Sequence, residues 1–350
     1  MRSAAYHWDM TDLLVLVANA GDGSISTFRL QNGALDRIAV TEGITGCSTF
    51  VVDGERDLVY AAVKPDGTSD AAGILTLALD RTSGALTPTS RLDLPSGGMN
   101  YLALSHGGTV LLGASYGGGY GIASAVADGV VAEPTSRVEF RNLHSVLPSA
   151  DGRFAYFVSL GDDLIGQYAL DAEAGLTPLD PPTVAAPAGS GPRHLVLNDE
   201  QDAVYVLTEF SGEVLHYARD TAAGTLTLRG AASAVDPSAS LTHSRFGADP
   251  IAQHLIWAAD LHAGDGVLWA SERGASTLAP VAVAADGSVS DATTFTVTEP
   301  QPRGFAVAGE WLVAAGERST EVSLYAVDGD QLELRQRIET GRGANWVRFV

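Results

Sequence analysis

Gly189-Ser190-Gly191-Pro192-Arg193-His194-Leu195-Val196-Leu197-Asn198 runs into a polar turn at Asp199-Glu200-Gln201-Asp202 and returns through Ala203-Val204-Tyr205-Val206-Leu207-Thr208-Glu209. Both runs are rich in β-branched and aromatic residues, which reads as two antiparallel strands. In such a hairpin the start of the first strand and the end of the second lie at one edge. Arg193, His194 and Glu209 are therefore predicted to share a rim. A cation, an imidazole and a carboxylate on one edge read as a polar site.

The rest of the chain repeats this unit. Seven leading runs share one design: Leu16–Asn19, Tyr60–Val63, Leu112–Ser115, Tyr156–Ser159, Tyr205–Thr208, Trp269–Glu272 and Val313–Gly316. Their spacings are 44, 52, 44, 49, 64 and 44 residues, the period of a four-stranded propeller blade. The longest spacing predicts an insertion within Val235 to Gln253. Asn32-Gly33, Asp66-Gly67, Asp151-Gly152, Asp286-Gly287 and Asp328-Gly329 are hairpin-turn signals. No apolar period of a helix is sustained, so helices are expected to be few. The first repeat lacks an inner strand, and Asn345-Trp346-Val347-Arg348-Phe349-Val350 is a strand with no repeat after it. A ring closed by that strand explains both facts and leaves no open sheet edge. The expected fold is all-β, a seven-bladed β-propeller over residues 1–350 as a single domain, with the C-terminal strand completing blade 1.

Charge and composition narrow the partners. The 350 residues hold 42 Asp+Glu against 21 Lys+Arg, a net charge of −21, and Lys64 is the only lysine. So acidic a surface argues against nucleic acid and anionic membranes. Cys47, the only cysteine, excludes an intrachain disulfide or a thiolate metal cage, which makes the cytoplasm the expected compartment. It reads as a small buried residue. Met1–Asp9 lacks a signal-peptide apolar region, and Leu13–Ala18 is too short to span a bilayer. No cofactor and no metal is expected. The oligomeric state is left open.

The hairpin rule extends to every blade. Residues before each inner strand give Cys47, Asn100, His144, Arg193 with His194, Asp260 with His262, Arg303 and Asn345. Residues ending the next strand give Ala20, Lys64, Tyr116, Leu160, Glu209, Arg273 and Glu317. Arg193 follows Gly191-Pro192 and Arg303 follows Pro300-Gln301-Pro302, rigid turns that hold a charged head in place. His194 is expected to pack away from Arg193, since neighbours alternate along a strand. Lys64 and Glu317 read as solvated. Asp260 and His262, two apart on one face, are half of a metal site at most. Tyr116-Gly117-Gly118-Gly119-Tyr120 opens no helix, so it reads as a blade-connecting turn rather than a phosphate cradle. Gly-x-Ser-x-Gly is absent as a strand-to-helix elbow, which disfavours a serine nucleophile.

Gly191-Pro192-Arg193-His194 with Glu209 resembles the lactonase family of seven-bladed propellers. Further matches in order are His144-Ser145 leading to Ser149–Arg153, Ala259-Asp260-Leu261-His262, Glu272-Arg273, Gln301–Phe305, Ala314–Gly316 and Asn345-Trp346-Val347. The resemblance runs through blades 4 to 7 and thins in blades 1 to 3. Glu272 and Met99-Asn100-Tyr101 depart from the family pattern. The resemblance implies catalytic roles for His144, Arg193, Glu209 and Arg273. Arg303, Asp260, His262, Asn100 and Tyr116 are expected to bind substrate. It also implies hydrolysis of an anionic sugar-acid lactone such as 6-phosphogluconolactone. A muconate-type lactonizing enzyme, a metal-dependent gluconolactonase-like site and a non-catalytic binding propeller are the alternatives. Glu209 is the first choice of base and His144 its rival, while the arginines suit an oxyanion or a substrate carboxylate or phosphate.

Overall fold

The computed structural model describes residues 13–66 and 69–350. Met1–Asp9 and the Gly67 half of the Asp66-Gly67 turn lie outside them. Seven antiparallel sheets are arranged as blades, with the strands of blades 2 to 7 in chain order outward from the centre. Every leading run lies in the strand second from the centre. In blade 5 that strand is Ala203–Thr208, between Pro192–Leu197 and Glu213–Arg219. Phe154–Ser159 and Ala203–Thr208 are buried at every position. Neighbouring blades cover both faces of such strands, which is why they read as unbroken apolar runs rather than alternating ones.

The innermost strands are Ala344–Phe349, Phe50–Asp53, Tyr101–Ser105, Leu143–Pro148, Pro192–Leu197, Ala258–Ala263 and Pro302–Ala308, and each touches the next around a complete ring. Ala344–Phe349 pairs antiparallel with Leu13–Asn19, so the C-terminal strand closes blade 1 as expected. Buried Trp346 adds a tie to blade 2 by donating from Nε1 to Phe50 O at 2.8 Å. Two 3-10 turns, His106–Gly108 and Pro237–Ala239, are the only helical elements among the described residues. The second lies in the insertion between blades 5 and 6, where Asp236 caps it by accepting from Ser238 N. Asn32 and Gly33 form a two-residue turn with φ of 52° and 74° between paired Gln31 and Ala34. Both angles are left-handed, the conformation that glycine and asparagine adopt most readily. Tyr116–Gly119 joins two strands of blade 3, Val110–Ser115 and Tyr120–Ala127, so the Gly-rich run is a turn within a blade and not a connection between blades.

Five inner strands carry a register shift at the same place. One extra residue stands at His144, Arg193, Arg303 and Asn345, and in blade 6 within Ala259-Asp260. These are β-bulges, which bend the strand and re-aim a side chain. Blades 2 and 3 show no such shift between their first two strands.

Ring closure therefore rests on the last strand. Trp346→Ala removes a fully packed indole and its inter-blade hydrogen bond, and an aromatic truncation of this kind costs about 3–5 kcal/mol. Urea denaturation is expected to show a loss in that range, whereas a loss under 1 kcal/mol, the scale of an ordinary surface change, contradicts this role for Trp346.

Candidate active site

The bulges place four side chains at one mouth of the channel. His144, Arg193, Arg303 and Asn345 line a pocket of about 790 Å³, together with Glu209, Arg273, Glu317, Tyr116, Asn100 and Trp257. Arg193 lies at its base and is 1% exposed. Its Nε donates to Glu209 Oε2 at 2.8 Å, and Nη1 donates to His194 Nε2 at 3.0 Å and to Ala259 O. Arg273 reaches the same Glu209 Oε2 from the other side, with Nη2 at 3.1 Å. Its guanidinium lies 3.7 Å above the Trp257 ring and donates to Trp257 O and Ala258 O. Glu209 is thus clasped at one oxygen by two cations. Oε1 of Glu209, Nη2 of Arg193 and Nη1 of Arg273 carry no hydrogen bond to the described protein. A second pair, Arg303 with Glu317 at 2.9 Å, stands beside them.

A buried relay fixes Arg193 from below. Because His194 Nε2 accepts from Arg193, its Nδ1 carries the proton and donates to Asp260 Oδ1 at 2.7 Å. Asp260 also accepts from Leu261 N, His262 Nε2 and Phe305 N. The His194 ring packs against Tyr101, His144 and Trp346, with centroids 5.1 to 5.8 Å away. These rings plug the channel beneath the pocket. Cys47 is fully buried nearby in blade 2, and burial pushes its thiol up to about 12.

The family model described as lactonase, 7-bladed beta-propeller, matches residues 13–349. The chain belongs to this family. It is 28% identical over 341 residues to a 6-phosphogluconolactonase of Klebsiella pneumoniae, covering 95% of this chain and 97% of that one. A 6-phosphogluconolactonase of an Enterobacter species is 29% identical over 345 residues, with 95% and 97% covered. Among solved structures, the periplasmic gluconolactonase of Pseudomonas aeruginosa superposes with a TM-score of 0.84 at 24% identity, covering 97% of this chain and 99% of that one. That likeness shows the shared fold. No helix among the described residues is long and apolar enough to cross a membrane.

Several lactonase-site expectations need correction. His194 does not alternate away from Arg193, because the bulge at Arg193 turns both side chains inward until they touch. Asp260 and His262 do not line the pocket. The inner strand of blade 6 runs Ala258–Ala263, so both lie inside it and face down the channel. Asp260 there holds His194, and His262 packs edge-on to Phe305 at 4.7 Å. Asn100 lines the pocket but spends its amide on the frame, donating to His144 O and accepting from Tyr116 N. Glu317 is not solvated but paired. Trp257 escaped notice because it ends the insertion, where no repeat marks it. Its position just before an inner strand is the signal that finds it.

Burial and neighbours set the protonation states. His144 is held well below the ordinary histidine value, by burial first and then by Arg193, His194, Arg303 and Arg273. Its buried Nδ1 and Asn345 Oδ1 have no hydrogen-bond partner among the described residues. Burial and Arg193 push His194 down to about 3. Burial would raise Asp260, but His262 and His194 outweigh it and hold the carboxyl well below its usual range. Burial raises Glu317 too, yet Arg303 and Arg273 prevail and lower it. Burial draws Arg273 down to about 9, which leaves it charged at neutral pH.

The low His194 value ties stability to pH. The folded protein leaves His194 neutral until about pH 3, while the unfolded chain protonates it near 6.5. Between those values the unfolded state holds more protons, so stability is full above the upper value and declines as pH falls through the window. His144 acts in the same direction. The urea midpoint is expected to be lower at about pH 5 than at about pH 7, with a shallower dependence in His194→Gln. A midpoint independent of pH across this interval contradicts the assignment.

Proposed function

We propose that this protein is a single-domain hydrolase of a sugar-acid lactone, with 6-phosphogluconolactone the foremost substrate. The observation that carries the reading is the state of Glu209: Oε2 is clasped by Arg193 and Arg273, and Oε1 has no hydrogen-bond partner among the described residues. A carboxylate held so rigidly, with one oxygen open, suits a general base. Oε1 takes a proton from water as the water oxygen bonds to the lactone carbonyl carbon. The carbonyl oxygen takes up negative charge, which Arg193 Nη2 and Arg273 Nη1 stabilise with their unused N–H groups. The tetrahedral centre then collapses. The bond from the carbonyl carbon to the ring oxygen breaks, and the proton held by Glu209 passes to the departing ring oxygen. The product is the open-chain hydroxy acid.

His144 is the weaker choice of base. Burial and four cationic or imidazole neighbours oppose its imidazolium form, so as a neutral ring it serves as a hydrogen-bonding partner for substrate. Tyr116 stands edge-on to it at 5.7 Å and, with Arg303 and Asn345, completes the wall against which hydroxyl groups are oriented. Asn100, Asp260 and His262 contribute indirectly, through the frame that holds the pocket walls.

Purified protein assayed on 6-phosphogluconolactone, an unphosphorylated gluconolactone and a muconate tests the reading. Lactone hydrolysis is expected, with kcat reduced about 10²–10⁴-fold by Glu209→Gln and about 10²–10³-fold by Arg273→Ala. Because His144 is held well below the ordinary histidine value, kcat/KM on the unphosphorylated gluconolactone, which has no phosphate to titrate, is expected to show no ionisation near about 6.5. Full activity of Glu209→Gln overturns the mechanism, and turnover of the muconate alone overturns the substrate class.

A further inference from the structure

The pocket is larger than its arginine cluster. It continues away from Arg193 and Arg273 into a lobe between blades 2 and 3, lined by Gly46, Ser48, Lys64, Asp70 and Gly98. This is the sector in which the inner strands carry no bulge, so no extra side chain fills it. Blade 2 stands across the ring from blade 5, and the lobe therefore lies opposite Glu209.

One cation serves this lobe. Arg193, Arg273 and Arg303 are all bound to Glu209 or Glu317. Lys64 makes no ion pair among the described residues, including with Asp70. Its backbone is fixed, with N–H donating to Thr45 O at 2.9 Å. Its stem lies across Gly46, where a Cβ would come within 2.7 Å of Lys64 Cδ and where φ is +60°. Both constraints call for glycine there. A seated aliphatic stem with a free ammonium head is an anion anchor in waiting. In a chain of net charge −21 with a single lysine, an anionic substrate has no other unpaired cation in this pocket.

The geometry points to Lys64 as the binding site for an anionic tail, a phosphate monoester or a carboxylate, on the end of the substrate remote from the lactone carbonyl. The inference rests on the lactonase reading above and adds the class of substrate. With the carbonyl carbon at Glu209 and the arginines, a sugar acid extended across the channel brings its far terminus to the lobe. Lys64 then selects among lactones by tail charge and takes no part in the bond changes.

Steady-state kinetics of Lys64→Ala on a phosphorylated lactone, a lactone with a carboxylate tail and an uncharged one test this. The expected result is a KM raised about tenfold, equivalent to about 1.4 kcal/mol, for whichever anionic tail the site takes. kcat stays within about twofold and the uncharged lactone is unaffected. Lys64→Arg is expected to restore most of the affinity, since it keeps the charge. Equal effects on all three lactones, no effect on the charged ones, or a fall in kcat with KM constant overturns the proposal while leaving the lactonase reading intact. Should the wild-type protein hydrolyse none of them, the lactonase reading fails. Calorimetric titration with 6-phosphogluconate and with inorganic phosphate then decides on Lys64: weaker binding by Lys64→Ala upholds the anion site, and identical isotherms end it.

Discussion

Burying the Arg193 guanidinium sets the terms for the whole channel mouth. A cation taken out of water is tolerated only when its charge is matched and its N–H groups are paired. Glu209 supplies the charge, and Ala259 O and His194 Nε2 take the remaining donors on one side. Each partner then needs its own support. His194 can accept from Arg193 only as the tautomer protonated at Nδ1, which demands an acceptor below it, and Asp260 is that acceptor. Asp260 in turn is buried and is satisfied by two imidazoles and two backbone N–H groups. From one arginine the chain of requirements crosses blades 5, 6 and 7. Ser145 extends it to blade 4 by donating to Arg193 O at 2.5 Å.

The blade count was legible because burial on both faces leaves a strong mark. The second strand of each blade is a short unbroken apolar run, and such runs recur at a regular spacing that needs no helix to explain it. Closure was legible for a related reason. Asn345–Val350 is apolar enough to need a partner, and only the first blade lacked one. The edges of strands were less legible. The inner strand of blade 6 begins at Ala258, earlier than its Asp260 and His262 suggested, since Ile256-Trp257-Ala258 merges with the insertion and no glycine or proline marks the junction. That shift of a few residues moved two side chains from the rim to the interior.

The candidate pocket was legible in most of its lining and not in its joints. Hairpin geometry alone brings Arg193 to Glu209, because antiparallel pairing fixes which ends meet. It could not foresee bulges, which depend on how a strand bends where the ring narrows and leave no fixed residue signature. The bulge at Arg193 broke the alternation from which His194 was read as facing away. The expected solvation of Glu317 failed for a different reason. A glutamate at the end of a strand looks free in a sequence, yet the pairing of Pro302 with Gly316 brings Arg303 to it, as blade 5 brings Arg193 to Glu209.

The electrostatics of the mouth follow from the same geometry. At long range a chain this acidic repels an anion, but the field fades over about 8–10 Å at physiological salt. Within that distance the pocket is ruled by its own walls, where four cations face three carboxylates, Glu209, Glu317 and Asp70. Two of those carboxylates are bound to arginines, which keeps the arginines straight without fully neutralising them, since each guanidinium retains donors beyond its ion pair. A pocket of bare arginines would be costly to fold, and one of fully neutralised pairs would not hold an oxyanion. Clasping Glu209 at a single oxygen meets both demands: it balances the buried charge, and it leaves unused N–H groups and an unused lone pair side by side in the same pocket.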